Sequence, residues 1–319
     1  MKALIDGIWH SQVTDRAAYE AARAGQPAKR FRDRVEADPN SAFPAEAGRY
    51  HLYVSYACPF SHRAILYRAL FGLEDAIGMS VAHPRWSGPD GWVFAPDPAF
   101  PEVTEDGAEG LPQLWALYRK AAPDFTGKVT VPVLWDTARK TIVSTESADI
   151  VRMLDLGFDA LKRRPMTFYP EGRRAEIDAL GDFVRRRINA GVYRAGFAPD
   201  QGSYDRAVRD LFEALDTLEA RLADGRAYLL GADPTEADWL LFPTLVRFDA
   251  VYHGALKCNL RRLADYPRLS ALMRRLLAWP GVAETVKLDH VKRHYYDDLG
   301  LVEPTIVPAG PARALDAAA

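Results

Sequence analysis

Cysteine occurs only twice in this 319-residue chain, at Cys58 and Cys258, and the two positions differ in kind. Cys58 opens Cys58-Pro59-Phe60-Ser61, between an aromatic, β-branched run and a helical one. A helix start offers unpaired N–H groups and about half a positive charge, and both favour a thiolate. Pro59 suits a first helical turn because its missing N–H costs nothing there. Position 61 is Ser, so no resolving thiol lies within the motif. That favours a mixed disulfide with an external small thiol over an internal dithiol couple, the bland alternative being a buried inert thiol. Cys258 follows a helical stretch with no flanking proline or helix start, and reads as a structural thiol.

Other residues suggest ligand contacts. Val131-Pro132 interrupts a β-like run, where a proline fits poorly in a central strand. Either the bond is cis and exposes the Val131 backbone to a ligand, or the strand is an edge. Glu146-Ser147 begins a helix directly after a strand. There Ser147 and the nearby N–H groups suit a carboxylate and Glu146 an ammonium, as in an amino-acid end; plain capping by Ser144 or Thr145 explains the pattern equally. Thr235-x-x-Asp238 before an apolar run reads as a structural capping box. His290 and His294 have metal-ligand spacing, but no Glu follows His290 and no third ligand is evident, so no metal site is expected. Tyr193, Tyr252, Tyr295 and Tyr296 form a candidate phenolic cluster, each alone being an ordinary packing residue.

The elements that must hold these residues follow from pattern. Residues 1–48 are polar, broken by Gly and Pro, and read as an arm. Strands are expected at Tyr50–Tyr56, Ile77–Ala82, Val129–Asp136 and Thr141–Val143, with helices at Pro59–Phe71, 111–121 and Glu146–Leu156. Residues 84–110 read as a long loop of functional or mobile type. After Pro165, helical spacing covers 172–195, 204–223, 236–256 and 267–278. The expected domains are an arm over 1–44, an α/β unit over 45–160, an all-helical unit over 170–300 and a Pro- and Ala-rich tail over 301–319.

Composition narrows the function classes. With 41 Lys+Arg against 43 Asp+Glu, the net charge of −2 advertises neither a nucleic-acid nor a membrane surface. No apolar run approaches the ~20 residues of a bilayer span. The N-terminus lacks a signal-like apolar region, and two distant cysteines make no disulfide framework, so a reducing cytoplasm is the expected compartment.

Taken together, YVSYACPFSHR, GLEDAI, the GW-x-F around Trp92, VTVPVLWD, TESADIVRML, INAGVYRAGF, RFDAVYHGALKCNL, DYPRL, PGVAETV, HVKRHYY and the Pro304–Pro308 tail are a specific set. Over about residues 45–308 the chain resembles the Xi-class glutathione transferases, the glutathionyl-hydroquinone reductases. The resemblance implies a thioredoxin-like N-terminal domain, a helical C-terminal domain and a homodimer. It implies that Cys58 is the catalytic nucleophile, that glutathione is the co-substrate, and that a quinone conjugate is the electrophile. Phe60, Trp92, Lys128, Val131, Pro132, Glu146 and Ser147 would line the glutathione site. Tyr193, Tyr252, Tyr295 and Tyr296 would line the quinone pocket, with Tyr193 and Tyr296 as proton-delivering phenols. The chain departs from the family where Phe60 replaces Trp, Ser61 replaces Ala, Lys128 replaces Arg, and in HGALKCN and DLGLVEPTIVPAGP. Those departures leave open another low-molecular-weight thiol, thioltransferase or dehydroascorbate reductase activity, or a non-catalytic binding protein on the same fold.

Overall fold

The computed structural model describes residues 1–27 and 30–301, so the Pro304–Pro308 tail lies outside the described residues. The chain divides into two compact units, Met1–Pro165 and Met166–Ala319.

The first unit centres on a four-stranded sheet of β3 (Tyr50–Val54), β4 (Ile77–Val81), β5 (Val133–Asp136) and β6 (Thr141–Ser144), in the order β4-β3-β5-β6. β3 and β4 are parallel, joined through α2 (Pro59–Phe71), whereas β5 runs antiparallel to both β3 and β6. This is the expected thioredoxin-like arrangement. α2 ends at Gly72, whose left-handed backbone (φ 66°) suits a glycine at a helix C-terminus. α4 (Ser147–Arg152) packs against α2, while α3 (Leu114–Ala121) packs against β6. β5 begins at Val133 rather than Val129, because the cis Val131–Pro132 bond precedes it.

The first 48 residues are not a patternless arm. β1 (Ala3–Ile5) and β2 (Ile8–His10) form a hairpin, and α1 (Arg16–Ala24) follows. The signal was local: Asp6-Gly7 supplies the two positive-φ residues (47° and 74°) that a two-residue hairpin turn requires. Leu4 is fully buried in the same apolar cluster as Tyr53, Tyr118 and Trp135. Farther on, Arg32 bridges to Ser144, Asp33 donates to Val143 O and Arg32 pairs with Asp149, so the segment edges β6.

The long 84–110 loop is anchored rather than loose. Asp106 accepts the Tyr53 hydroxyl and the amides of Ala108, Glu109 and Leu111 at 2.9–3.1 Å. Ser80 Oγ joins His51 Nε2 to Gly107 N at 2.7 and 2.9 Å. Burial pushes the His51 imidazole down to about 4, so it acts as a neutral structural group.

The second unit is helical: α5 (Arg174–Phe183), α6 (Gly191–Gly196), α7 (Gln201–Arg221), α8 (Glu236–Arg247), α9 (Pro267–Leu277) and α10 (Leu288–Lys292). Thr235 and Asp238 make the expected capping box at the start of α8. Two expected helices are not continuous. The 172–195 stretch widens into a π-helical turn at Val184–Asn189 before α6, and 236–256 does so at Phe248–Tyr252 after α8. A third π turn, Arg293–Asp298, follows α10. Pro243 lies inside α8, and Asn189 at the end of the first π turn donates to Leu240 O at 3.0 Å and accepts from Thr244 at 2.7 Å. These bonds tie the end of the π turn to the stretch of α8 around Pro243.

Docking of the hairpin generates a test. A Cβ on Gly7 would meet Pro123 O at 1.8 Å in a left-handed backbone. Gly7→Ala is expected to cost about 2 kcal/mol of docking, from strain plus displacement. Limited proteolysis should then cut the first 30 residues well before the rest, with a lowered thermal midpoint; an unchanged cleavage pattern would contradict the assignment.

Candidate active site

Cys58 is the N-cap of α2, in extended backbone (φ −83°, ψ 122°), with Pro59 directly after it and no side-chain cap on the first turn. The geometry arises from β3 ending at Val54 and a tight turn in which Cys58 N donates to Ser55 O at 3.1 Å. Ser61 Oγ accepts from Ser55 N at 3.3 Å, which ties the first turn of α2 back to that bend. Ser61 is fully buried, so the departure at this position serves the turn. The helix start leaves amide N–H groups and the positive end of the dipole beside the sulfur, which favours its thiolate.

Cys58 Sγ lies 3.5 Å from the carbonyl of Val131 and donates to it as a thiol. The Val131–Pro132 peptide is cis, the first of the two readings of that dipeptide. Cys58 packs against the apolar cluster that contains Trp92 and Val131. Trp92 is buried and tilted against Trp86 at 6.3 Å between ring centroids.

Glu146, not Ser144 or Thr145, caps α4: its carboxylate accepts from Ala148 N at 3.4 Å, while Ser144 Oγ accepts from Glu146 N at 3.1 Å. The acid at position 146 therefore caps the helix start, while the Ser144 hydroxyl is spent on the preceding turn. Ser147 is buried, and its hydroxyl accepts from Arg63 Nη1 at 3.1 Å. Arg63 is only 4% exposed and its guanidinium carbon lies 5.0 Å from the centroid of the Phe60 ring, itself 38% exposed. No motif logic had singled out Arg63, since a charge on a helix is ordinarily a solvated one. Lys128, by contrast, is exposed on a cleft it shares with Glu20, Arg23, Gln26 and Arg30.

In the second unit the phenols do converge. Tyr193 OH and Tyr295 OH are 2.5 Å apart. Tyr252 makes edge contacts to both rings, with centroids at 6.1 Å from Tyr193 and 5.5 Å from Tyr295. Tyr193 is half-buried, whereas Tyr252, Tyr295 and Tyr296 are buried. Burial holds the Tyr295 phenol well above its ordinary value, the Tyr252 phenol adds to this, and the Tyr193 hydrogen bond and buried Arg247 oppose it. Tyr296 points its hydroxyl elsewhere: a Cβ on Gly254 would come within 2.3 Å of it, so only glycine leaves it room. Each phenol depends on a π turn, for Tyr252 ends one, Tyr295 and Tyr296 lie in another, and Tyr193 follows the third. The sequence carried no signal for these turns, because the apolar spacing of an α-helix runs through them.

His294 Nδ1 pairs with Asp298 at 3.2 Å. His290 is fully buried in α10.

The glutathione S-transferase N-terminal domain model matches residues 57–156, and the glutathione S-transferase C-terminal domain model matches residues 201–275. The chain is 44% identical over 316 residues to glutathionyl-hydroquinone reductase PcpF of Sphingobium chlorophenolicum, covering 99% of this chain and 98% of that one. It is 43% identical over 323 residues to glutathionyl-hydroquinone reductase YqjG of Escherichia coli, covering 99% and 97%. The glutathione-bound structure of YqjG superposes with a TM-score of 0.86 at 42% identity, over 97% of this chain and 95% of that chain. The Xi-class transferase of Natrialba magadii superposes with a TM-score of 0.90 at 43% identity, over 98% and 94%. Among the described residues, no helix is long and apolar enough to cross a membrane.

The two thiols should separate cleanly by reactivity. Cys258 is fully buried, lies 3.8 Å from Val192 O, and burial pushes its thiol up to about 12. At pH 8, iodoacetamide should therefore label native protein once, at Cys58, and label Cys258 only after denaturation. Peptide mass mapping checks this; rapid native labelling of Cys258 would contradict the burial argument.

Proposed function

Since this chain belongs to the Xi-class glutathione transferases, the glutathionyl-hydroquinone reductases, we propose that it removes glutathione reductively from glutathionyl-hydroquinones through Cys58. Glutathione is the co-substrate. The observation that carries the assignment of Cys58 is its position at the uncapped start of α2, against Val131, in a chain whose other thiol is buried.

The chemistry balances as two exchanges. The Cys58 thiolate attacks the sulfur of the conjugate. A sulfur–sulfur bond forms, the sulfur–ring carbon bond breaks, and its electron pair passes to the ring carbon, which takes up a proton. Hydroquinone leaves. A second glutathione, as thiolate, attacks the Cys58 mixed disulfide, and glutathione disulfide departs as the Cys58 thiolate is restored. The ring is reduced and two glutathione sulfurs are oxidised.

Three local features support this division of labour. The Val131 carbonyl holds the Cys58 thiol proton in the resting protein. A peptide-like ligand whose N–H reaches that carbonyl competes with the thiol for it and favours the thiolate. The helix start carrying Glu146 and Ser147 offers an acid and a hydroxyl to the amino-acid end of glutathione. The family resemblance assigns proton delivery to the phenols of the second unit, where half-buried Tyr193 is paired with Tyr295, which burial keeps protonated at neutral pH. Tyr252 supports both rings, whereas Tyr296 directs its hydroxyl toward Gly254. Phe60 and Trp92 add apolar surface beside the thiol, and Lys128 is a cation for a second carboxylate. We place the enzyme in the cytoplasm, where glutathione is reduced, and expect a homodimer, which sedimentation velocity tests.

Cys58→Ala is expected to abolish reduction of glutathionyl-hydroquinone, and no 305-Da glutathionyl adduct should form with glutathione disulfide (~305 Da being the added tripeptide less hydrogen). Tyr193→Phe should lower kcat by about 10²-fold, the usual contribution of a positioned acid, while the Cys58 adduct still forms at the native rate. Full activity of Cys58→Ala would overturn the mechanism, and slowed adduct formation in Tyr193→Phe would overturn the proton-donor role.

A further inference from the structure

We infer that Arg63 is a positioning residue that sets the Ser147 hydroxyl to bind the amino-acid carboxylate of the thiol substrate; the inference rests on the reading of the glutathione site above. Arg63 lies in the second turn of α2, five residues beyond the thiol, and spans to the first residue of α4. Its Nη1 donates to Ser147 Oγ at 3.1 Å and its guanidinium faces the Phe60 ring at 5.0 Å. One buried side chain thus touches both helix starts that flank the thiol.

The direction of that hydrogen bond matters. A serine hydroxyl has one proton and two lone pairs. With one lone pair occupied by an Arg63 N–H, the hydroxyl keeps its own proton for an outside acceptor. A carboxylate arriving at the start of α4 is such an acceptor. The charged donor also polarises the hydroxyl, which strengthens the bond it gives. Arg63 therefore acts through Ser147. Its guanidinium carbon also lies 5.0 Å from the Phe60 ring centroid, which links Ser147 to the helix start that carries Cys58. A lysine keeps the charge but has neither the fork nor the flat face.

The inference makes a claim about selectivity that a packing role does not. Only a substrate with an amino-acid carboxylate at the far end gains from Arg63. Glutathione disulfide has that group. The disulfide of cysteinylglycine, which lacks the γ-glutamyl unit, does not. The experiment measures the rate of Cys58 adduct formation with each disulfide, by intact mass. Arg63→Met should slow glutathione disulfide by about 30-fold, and cysteinylglycine disulfide less than threefold, as loss of a charge-assisted hydrogen bond to one substrate implies. Ser147→Ala should show the same selective loss, and the double variant no further loss. Arg63→Lys should retain part of the selectivity, and it carries the test if Arg63→Met does not fold.

Equal slowing with both disulfides, no slowing with either, or additive losses in the double variant would each overturn the inference. If the native protein forms no Cys58 adduct with either disulfide, the proposed function itself fails, and the role of Arg63 falls with it.

Discussion

The fold of the first unit is organised around one requirement: a sulfur must sit at a helix start while remaining half inside the protein. The helix end supplies the field, and partial burial keeps water from screening it. Meeting both needs β3 to stop at Val54, the chain to bend through Ser55, and α2 to start at once. It also needs a second chain segment close enough to cover the sulfur without sealing it. The Val131–Pro132 turn provides that segment, and β5 begins only after it. Ser61 shows how tightly this is specified: its hydroxyl is used on the bend and is fully buried, so it has no freedom to act in the chemistry.

The second unit meets a different constraint, the grouping of phenols from three stretches of chain. An α-helix repeats every 3.6 residues, so a side chain can be moved to another face only by changing the local helical count. The π turns at 184–189, 248–252 and 293–298 do that. Each widened turn loosens the backbone ladder, and the unit compensates nearby. Asn189 bonds to the Leu240 carbonyl and Thr244, and Arg247 bonds to Pro243 O at 3.0 Å. π turns recur at functional sites for this reason, since they give up regularity to aim a side chain.

Legibility from the chain follows the same physics. The strand–Cys–Pro–helix pattern, the interrupted Val131-Pro132 run and the Thr235–Asp238 box were readable because each depends on neighbours in sequence. The Asp6-Gly7 hairpin was readable too, between the apolar Ala3–Ile5 and Ile8-Trp9, and the burial of Leu4, Tyr19, Val35 and Phe43 shows that the arm is part of the core. Arg63 was not readable. α2 is buried on most sides, so its sequence has no polar stripe from which an inward-facing charge would stand out. The π turns were not readable, because apolar spacing tolerates one extra residue in a turn without visible change.

Phe60, where the family resemblance implies a tryptophan, lies beside the Arg63 guanidinium. The guanidinium carbon is 5.0 Å from the Phe60 ring centroid, within cation–π range. Phenylalanine binds a cation less strongly than tryptophan does, yet the contact is largely shielded from water because Arg63 is 4% exposed. Phe60 itself remains 38% exposed. Lys128 differs in kind. It is exposed, it shares its cleft with Arg23 and Arg30, and a point ammonium there is screened and mobile. In the proposed site Arg63 and Ser147 are buried and Cys58 is half-buried, while Lys128 is solvated. On the proposed reading, selectivity among small thiols rests on the Cys58–Ser147 span that Arg63 bridges.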